Sequence, residues 1–189
     1  MTTNTLITGG ARSGKSNFAQ ALALKSAGPV LFVATAEAGD EEMRQRIEAH
    51  RKARPESWST LEVTMHVGSQ IVKHVGQAQT VIIDCITLLV SNILRQYSNP
   101  TGDEVDSPSA EKAVTAEIEE LVDCINSINA NFIIVTNEVG LGLIPANKMS
   151  RVYRDLLGRA NQILAQNVDE VFLLVSGIPL PIKPTGPHH

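Results

Sequence analysis

"TLITGGARSGKS", residues 5–16, joins a short apolar run to a glycine-rich turn that ends in lysine and serine. Gly9, Gly10, Ala11, Arg12, Ser13, Gly14, Lys15 and Ser16 fit the pattern G-x-x-x-x-G-K-[ST]. Glycines at those spacings let successive backbone N–H groups turn inward on phosphate oxygens. A helix starting at the end of the turn adds its positive N-terminal end. Lys15 then brings a point charge to the β- and γ-phosphates, and the Ser16 hydroxyl suits Mg²⁺. The pattern carries weight only between a strand and a helix. Both are expected here, "TLIT" (5–8) as a strand and "SNFAQALALKSA" (16–27) as a helix. A nucleotide phosphate is therefore the expected ligand of residues 9–16; the bland alternative is a chance glycine turn.

Outward from this turn, short apolar runs alternate with helical patterns, which argues for an α/β fold with a mostly parallel sheet. "VLFVATA" (30–36), "TLEVTM" (60–65), "TVIIDC" (80–85), "FIIVT" (132–136) and "EVFLLV" (170–175) read as strands, the last as the final core strand. Residues 40–54 read as a helix with Asp40 as cap and acidic residues in its first turn. Further helices are expected over 87–97, 110–129 and 148–166, with a weak one near His66 and His74. Val114, Ile118, Leu121, Val122, Ile125 and Ile128 recur at helical spacing. "SNPTGDEVDSPS" (98–109) has the composition of a loop. The expected organisation is one domain over 1–183 and a short disordered tail over 184–189. Ligands of such sheets gather at the carboxyl ends of the strands. That rule draws 9–16, 35–40, 84–87, 136–142 and 176–179 around one crevice.

Composition narrows the rest. The 189 residues are 43% apolar and 19% charged, enough for a buried core. A net charge of −4 gives no reason to expect a nucleic-acid partner. No run approaches ~18 apolar residues, so no membrane span is expected. No secretion signal is read at the N-terminus. Cys85 and Cys124 lack a Cys-x-x-Cys pattern and read as reduced thiols of a cytoplasmic protein.

Two residues carry further chemistry. Asp84 closes the run "VIID" and is placed to hold Mg²⁺ with Ser16; the bland reading is a strand-end cap. On the helix 40–54, Met43, Ile47, His50 and Arg54 share one face, whereas Glu41, Arg44, Glu48 and Arg51 point elsewhere. His50 thus falls on the inward stripe, among Arg46, Arg51, Lys52 and Arg54. Cationic neighbours keep an imidazole neutral and hence nucleophilic. Attack on a nucleotide α-phosphate is one reading, and a packed core histidine is the other.

With these residues in place, the sequence resembles the bifunctional adenosylcobinamide kinase/adenosylcobinamide-phosphate guanylyltransferases. The likeness rests on "ITGGARSGKS", "VATAEAGDEEMRQRIEAHRKARPESWSTLE", "DCITLLVSNIL", "VTNEVGLGLIPAN", "RVYRDLLGRANQILA" and "VFLLVSGIPL", and covers nearly the whole chain. It implies a RecA-like P-loop NTPase fold and a homotrimer. It implies transfer of the γ-phosphate of ATP or GTP to adenosylcobinamide, with Mg²⁺. It also implies transfer of GMP from GTP to adenosylcobinamide phosphate through a GMP–histidine. On this resemblance His50 is the nucleophile. Nucleotide contacts fall on residues 9–16, on Thr35, Ala36 and Glu37, on Arg51, Lys52, Ala53 and Arg54, and on Glu62 and Asp84. Two rival readings stay open: a small-metabolite kinase without guanylyl transfer, and a partner-regulated NTPase.

Other features are weaker. Asn137, Glu138, Gly140 and Gly142 read as a loop facing substrate or nucleotide. Arg151, Arg154 and Arg159 read as a solvated face, with a neighbouring subunit or corrinoid amides as the alternative. Trp58 reads as a local anchor or as a surface for a base. His66 and His74 are given no metal role.

Overall fold

A computed structural model describes residues 2–26, 28–37, 44–45, 48, 51, 54–99, 101 and 104–183. The chain runs β1 (Thr5–Gly9), α1 (Lys15–Lys25), β2 (Val30–Ala34), β3 (Ser59–Glu62), α2 (Val67–His74), β4 (Thr80–Asp84) and α3 (Ile86–Gln96). It continues through α4 (Ser107–Ser127), β5 (Asn131–Val135), α5 (Lys148–Asn167), β6 (Glu170–Val175) and β7 (Ile178–Lys183). Arg44, Gln45, Glu48 and Arg51 are helical, as expected within 40–54. Asp40, Met43, Arg46, Ile47, His50, Lys52, Ala53 and the expected tail 184–189 lie outside the described residues.

The seven strands form one sheet in the order β3-β2-β4-β5-β1-β6-β7. Every pairing is parallel except β6 with β7. β5 lies between β1, which feeds the glycine turn, and β4, which ends in Asp84. That insertion is the arrangement of a RecA-like sheet. Register levels the carboxyl ends: Ala34 is opposite Asp84, Asp84 opposite Val135, and Gly9 opposite Leu174.

Strands buried on both faces show no polar alternation, yet they sort by parity between two cores. Leu31, Val33, Val81, Ile83, Phe132 and Ile134 pack toward α2–α5. Phe32, Ala34, Ile82, Ile133 and Val135 pack with Ala19 and Ala23 of α1 on the other face. Polar caps set the helix starts: the Asp106 side chain accepts from Ser109 N at the start of α4, and that of Asn147 from Ser150 N at α5.

β6 is the final core strand the sequence suggested, but an exposed edge strand that the sequence did not announce follows it. The chain reverses at Ser176 and Gly177, φ 52° and 83°. Positive φ at both central residues suits a two-residue hairpin whose twist matches the strands. "IPLPIK" then returns antiparallel. It holds two prolines, which an edge strand such as β7 tolerates.

Candidate active site

The glycine turn is built from both sides. A Cβ on Gly9 would lie 2.5 Å from the Leu174 carbonyl oxygen and 2.9 Å from Ser13 Oγ, so β6 and the turn approach each other only across glycine. Gly177 N donates to Ser13 O (2.9 Å), tying the β6–β7 hairpin to the turn. Lys15 begins α1 and is 7% exposed. Its Nζ donates to Gly10 O at 2.6 Å. Burial pushes its pKa down, while Cys85 and Asp84 pull it back up. Ser13 Oγ is buried with no hydrogen-bond partner, a spare donor beside the turn.

The turn forms one wall of a cleft of about 540 Å³. Ala11–Ser16 line it with Phe32, Ala34, Ala36, Arg54, Asp84, Cys85, Thr87 and Asn137. Ser16 and Asp84 both border this space. Hydroxyl and carboxylate oxygens are the hard donors that Mg²⁺ takes, so the residues present fit that ion.

Arg54 lies over Phe32, its Cζ 3.6 Å from the ring centroid. Its Nε is buried without a hydrogen-bond partner. Burial lowers its pKa, against the pull of Asp84 and Glu62 and with the push of Arg51. A partly desolvated guanidinium held on an aromatic face is pre-organised for an anion. Trp58 stacks with Phe32, ring centroids 6.5 Å apart and planes at 19°. It packs against the apolar cluster that holds Ala19 and Ala23 of α1, as a local anchor would.

Thr35 is fully buried, and its hydroxyl is committed. It donates to Cys85 O (2.6 Å) and accepts from Cys85 N (2.8 Å), clamping the backbone that follows Asp84. Ala36 borders both the cleft and a second recess of about 510 Å³ that holds Glu37 and Glu62. Arg95 donates to Glu37 Oε2 (2.8 Å) and to Asn92 Oδ1 (2.7 Å), and Asn92 Nδ2 donates to Thr35 O (2.9 Å). These bonds link Glu37 to α3.

Of the residues singled out in the sequence, Ala11–Ser16, Ala36, Arg54 and Asp84 come together at the cleft. Gly9 and Gly10 lie beneath it as the base of the turn, with Gly10 O held by Lys15. Glu37 and Glu62 share the adjoining recess, and Arg51 is exposed. His50, Lys52 and Ala53 lie outside the described residues. Cys85 and Thr87 fall in the segment 84–87 that the sequence drew to the crevice, whereas Phe32, Asn92 and Arg95 were not read as site residues. Phe32 carries no signal beyond a strand's apolar run. Asn92 does carry one, a lone amide among the apolar positions of α3. Cys85 is half-buried and Cys124 buried; both are free thiols with the pKa raised to about 11, chiefly by burial.

Across the cleft, the loop after β5 is fastened at both ends. Asn137 N donates to Thr87 Oγ1 (2.8 Å), Asn161 Nδ2 to Asn137 O (3.0 Å), and Glu138 N to Gly9 O (3.0 Å). Arg151 donates to Pro145 O (3.0 Å) and Ala146 O (2.5 Å). Arg154 pairs with Asp155 and Arg159 with Glu111. Far from the cleft sequence, His66 meets Glu117 and Glu120 of α4, at 4.0 and 3.6 Å. Those carboxylates cap α2: Glu117 accepts from His66 N and Val67 N, and Glu120 from Ser69 N.

A strand, a glycine turn closed by Lys-Ser, and an acidic strand end two positions across the sheet define a P-loop NTPase of RecA-like topology. Among solved structures, the ATPase EscN of the enteropathogenic E. coli type III secretion system shares the fold. Its TM-score is 0.54 at 10% identity, over 93% of this chain and 43% of that one. Residues 5–182 match the family model described as cobinamide kinase / cobinamide phosphate guanyltransferase. The chain is 42% identical over 179 residues to the bifunctional adenosylcobalamin biosynthesis protein CobU of Escherichia coli (strain K12), covering 94% of this chain and 98% of that protein. It is 41% identical over 179 residues to the protein of the same description from Salmonella typhimurium, with the same coverage. The chain belongs to the cobinamide kinase / cobinamide phosphate guanyltransferase family. Among the described residues no helix is long and apolar enough to cross a membrane.

Proposed function

We propose that the protein phosphorylates adenosylcobinamide with ATP or GTP, and then transfers GMP from GTP to adenosylcobinamide phosphate, giving adenosyl-GDP-cobinamide and pyrophosphate. Family membership supports both reactions. The observation that carries the reading is the convergence of Lys15, Ser16, Asp84 and Arg54 on one cleft of about 540 Å³. Phosphoryl transfer asks a protein for position and charge rather than covalent chemistry. The turn supplies position through its backbone N–H groups. Lys15 neutralises charge at one end of the triphosphate, and Arg54, pressed onto Phe32, supplies a second cation across the cleft. Mg²⁺ held by Ser16 and Asp84 would screen the phosphate oxygens from one another.

Guanylyl transfer needs a nucleophile for the α-phosphate. We assign it to His50, which precedes Arg54 by four residues in the chain. Its neutral imidazole attacks phosphorus, pyrophosphate leaves, and the phosphate of the corrinoid then displaces the imidazole. Residues 9–16, 35–37, 51–54, 62 and 84 hold the nucleotide in this reading. The Thr35 hydroxyl is occupied by Cys85, so Thr35 acts through the backbone it braces. The proposal includes a cytoplasmic location and a trimer. Val175, Ile178, Leu180 and Ile182, all more than half exposed around β7, are the apolar surface that supports association.

Incubation with adenosylcobinamide, GTP and Mg²⁺, followed by mass spectrometry, should reveal both the phosphorylated and the GDP-linked corrinoid. With α-labelled GTP alone, the protein should retain acid-labile label, and His50→Asn should retain none. Label persisting in His50→Asn would remove the nucleophile assignment. Absence of both corrinoid products would remove the function.

A further inference from the structure

Resting on the corrinoid reading above, we infer that Leu141, Leu143 and Ile144, in the loop after β5, form the platform on which the corrin macrocycle of the acceptor lies. These side chains are 86%, 97% and 73% exposed. Single exposed leucines are ordinary, but three large aliphatic groups within four positions of one loop are not. The loop does not dangle. Its first residues are pinned by Thr87, Asn161 and Gly9, and its last by Arg151. The Glu138 carboxylate accepts from Gly140 N (2.5 Å) and fixes the turn between. The fold therefore holds the three side chains in water.

Place and size select the occupant. Asn137 lines the nucleotide cleft, and Leu141 follows it by four residues, at most about 14 Å of chain. The three side chains are not part of the cleft wall, but the chain places the first of them within that reach of the site of transfer. A cleft of about 540 Å³ lies within the ~300–1,000 Å³ range of sites for one small molecule. A nucleotide occupies such a space. A corrin with its amide arms is larger than a nucleotide and has to rest outside, with only its hydroxyl-bearing arm reaching in. The stretch Val139–Asn147 carries no charged side chain, which suits a neutral, amide-fringed ring and not a polyanion. A second copy of the chain has another candidate surface, the apolar face around β7.

The test is the combined variant Leu141→Ser, Leu143→Ser, Ile144→Ser, compared with the wild-type protein. Losing three aliphatic contacts should raise the KM for adenosylcobinamide by about tenfold or more. Equilibrium dialysis of the corrinoid should show the same factor. The kcat at saturation, label uptake from α-labelled GTP alone, and sedimentation should stay as in the wild type. An unchanged KM and unchanged dialysis overturn the inference. So does dissociation of the oligomer, which would make the loop an interface between copies. If the wild type itself neither binds nor converts the corrinoid, the functional reading falls and takes this one with it. If the wild type does both and the variant equals it, only the platform falls.

Discussion

The sharpest stability prediction concerns Glu117, which is 4% exposed and far in sequence from the helix it caps. Its Oε2 accepts from His66 N at 2.9 Å and its Oε1 from Val67 N at 2.7 Å. α2 begins at Val67, and its N-cap residue, His66, offers no side-chain cap of its own. Glu117→Ala removes both bonds and leaves the N–H of buried Val67 and that of His66 without their acceptor. Hydrogen bonds to a charged acceptor are worth about 1.5–3 kcal/mol each, so the loss should reach about 3 kcal/mol even if the first turn relaxes. Glu117→Gln keeps one carbonyl acceptor and should cost about half. With a urea slope of about 2–3 kcal/mol/M, the alanine variant should lower the unfolding midpoint by about 1–1.5 M. Urea titration followed by far-UV circular dichroism measures this. A drop below about 0.3 M, or a glutamine variant less stable than the alanine one, would refute the capping role.

Two further outcomes are expected. Gly9→Ala places a Cβ 2.5 Å from the Leu174 carbonyl at φ 148°, and should cost about 2 kcal/mol or more. The thermal midpoint should then fall by about 4–8 °C, whereas Gly10→Ala, with no atom within 4 Å of its Cβ, should change it little. For Cys85, burial raises the thiol pKa from 9.0 to about 11, so the folded protein holds the proton that the unfolded chain releases. Its contribution to stability is therefore intact below pH 9 and declines as pH rises toward 11. Alkylation of Cys85 in a Cys124→Ser background should stay slow until pH approaches 11; a rate profile centred near pH 8.5 contradicts the burial argument.

Much of this molecule is legible along the chain. β1, β2, β4 and β5 are apolar runs buried on both faces, and such runs announce themselves without any partner. Periodicity also put Arg54 on the inward stripe, and it lies over Phe32. What stayed hidden depends on contacts between distant segments. α2 is short and gets its cap from α4, so residues 66–74 show only a weak helical pattern. Glu117 looks like one more charge on an amphipathic helix, although it sits on the buried side. Thr35 shows a hydroxyl to the reader of sequence and a filled pair of hydrogen bonds in the fold. β7 stayed hidden because a stretch with two prolines lacks the pattern of a strand, and only its position at the margin of the sheet makes them harmless.

Those prolines have a further effect. Val175 is opposite Ile178, Leu174 opposite Pro179, Leu173 opposite Leu180 and Phe172 opposite Pro181, and the two-residue turn makes Val175 and Ile178 a hydrogen-bonded pair. Alternation then turns the missing N–H groups of Pro179 and Pro181 toward the open side of β7. A foreign strand arriving there meets a margin stripped of donors at every second position. Main-chain pairing of one copy onto the next is disfavoured at that margin, which protects a chain with so many apolar strands from polymerising through β7.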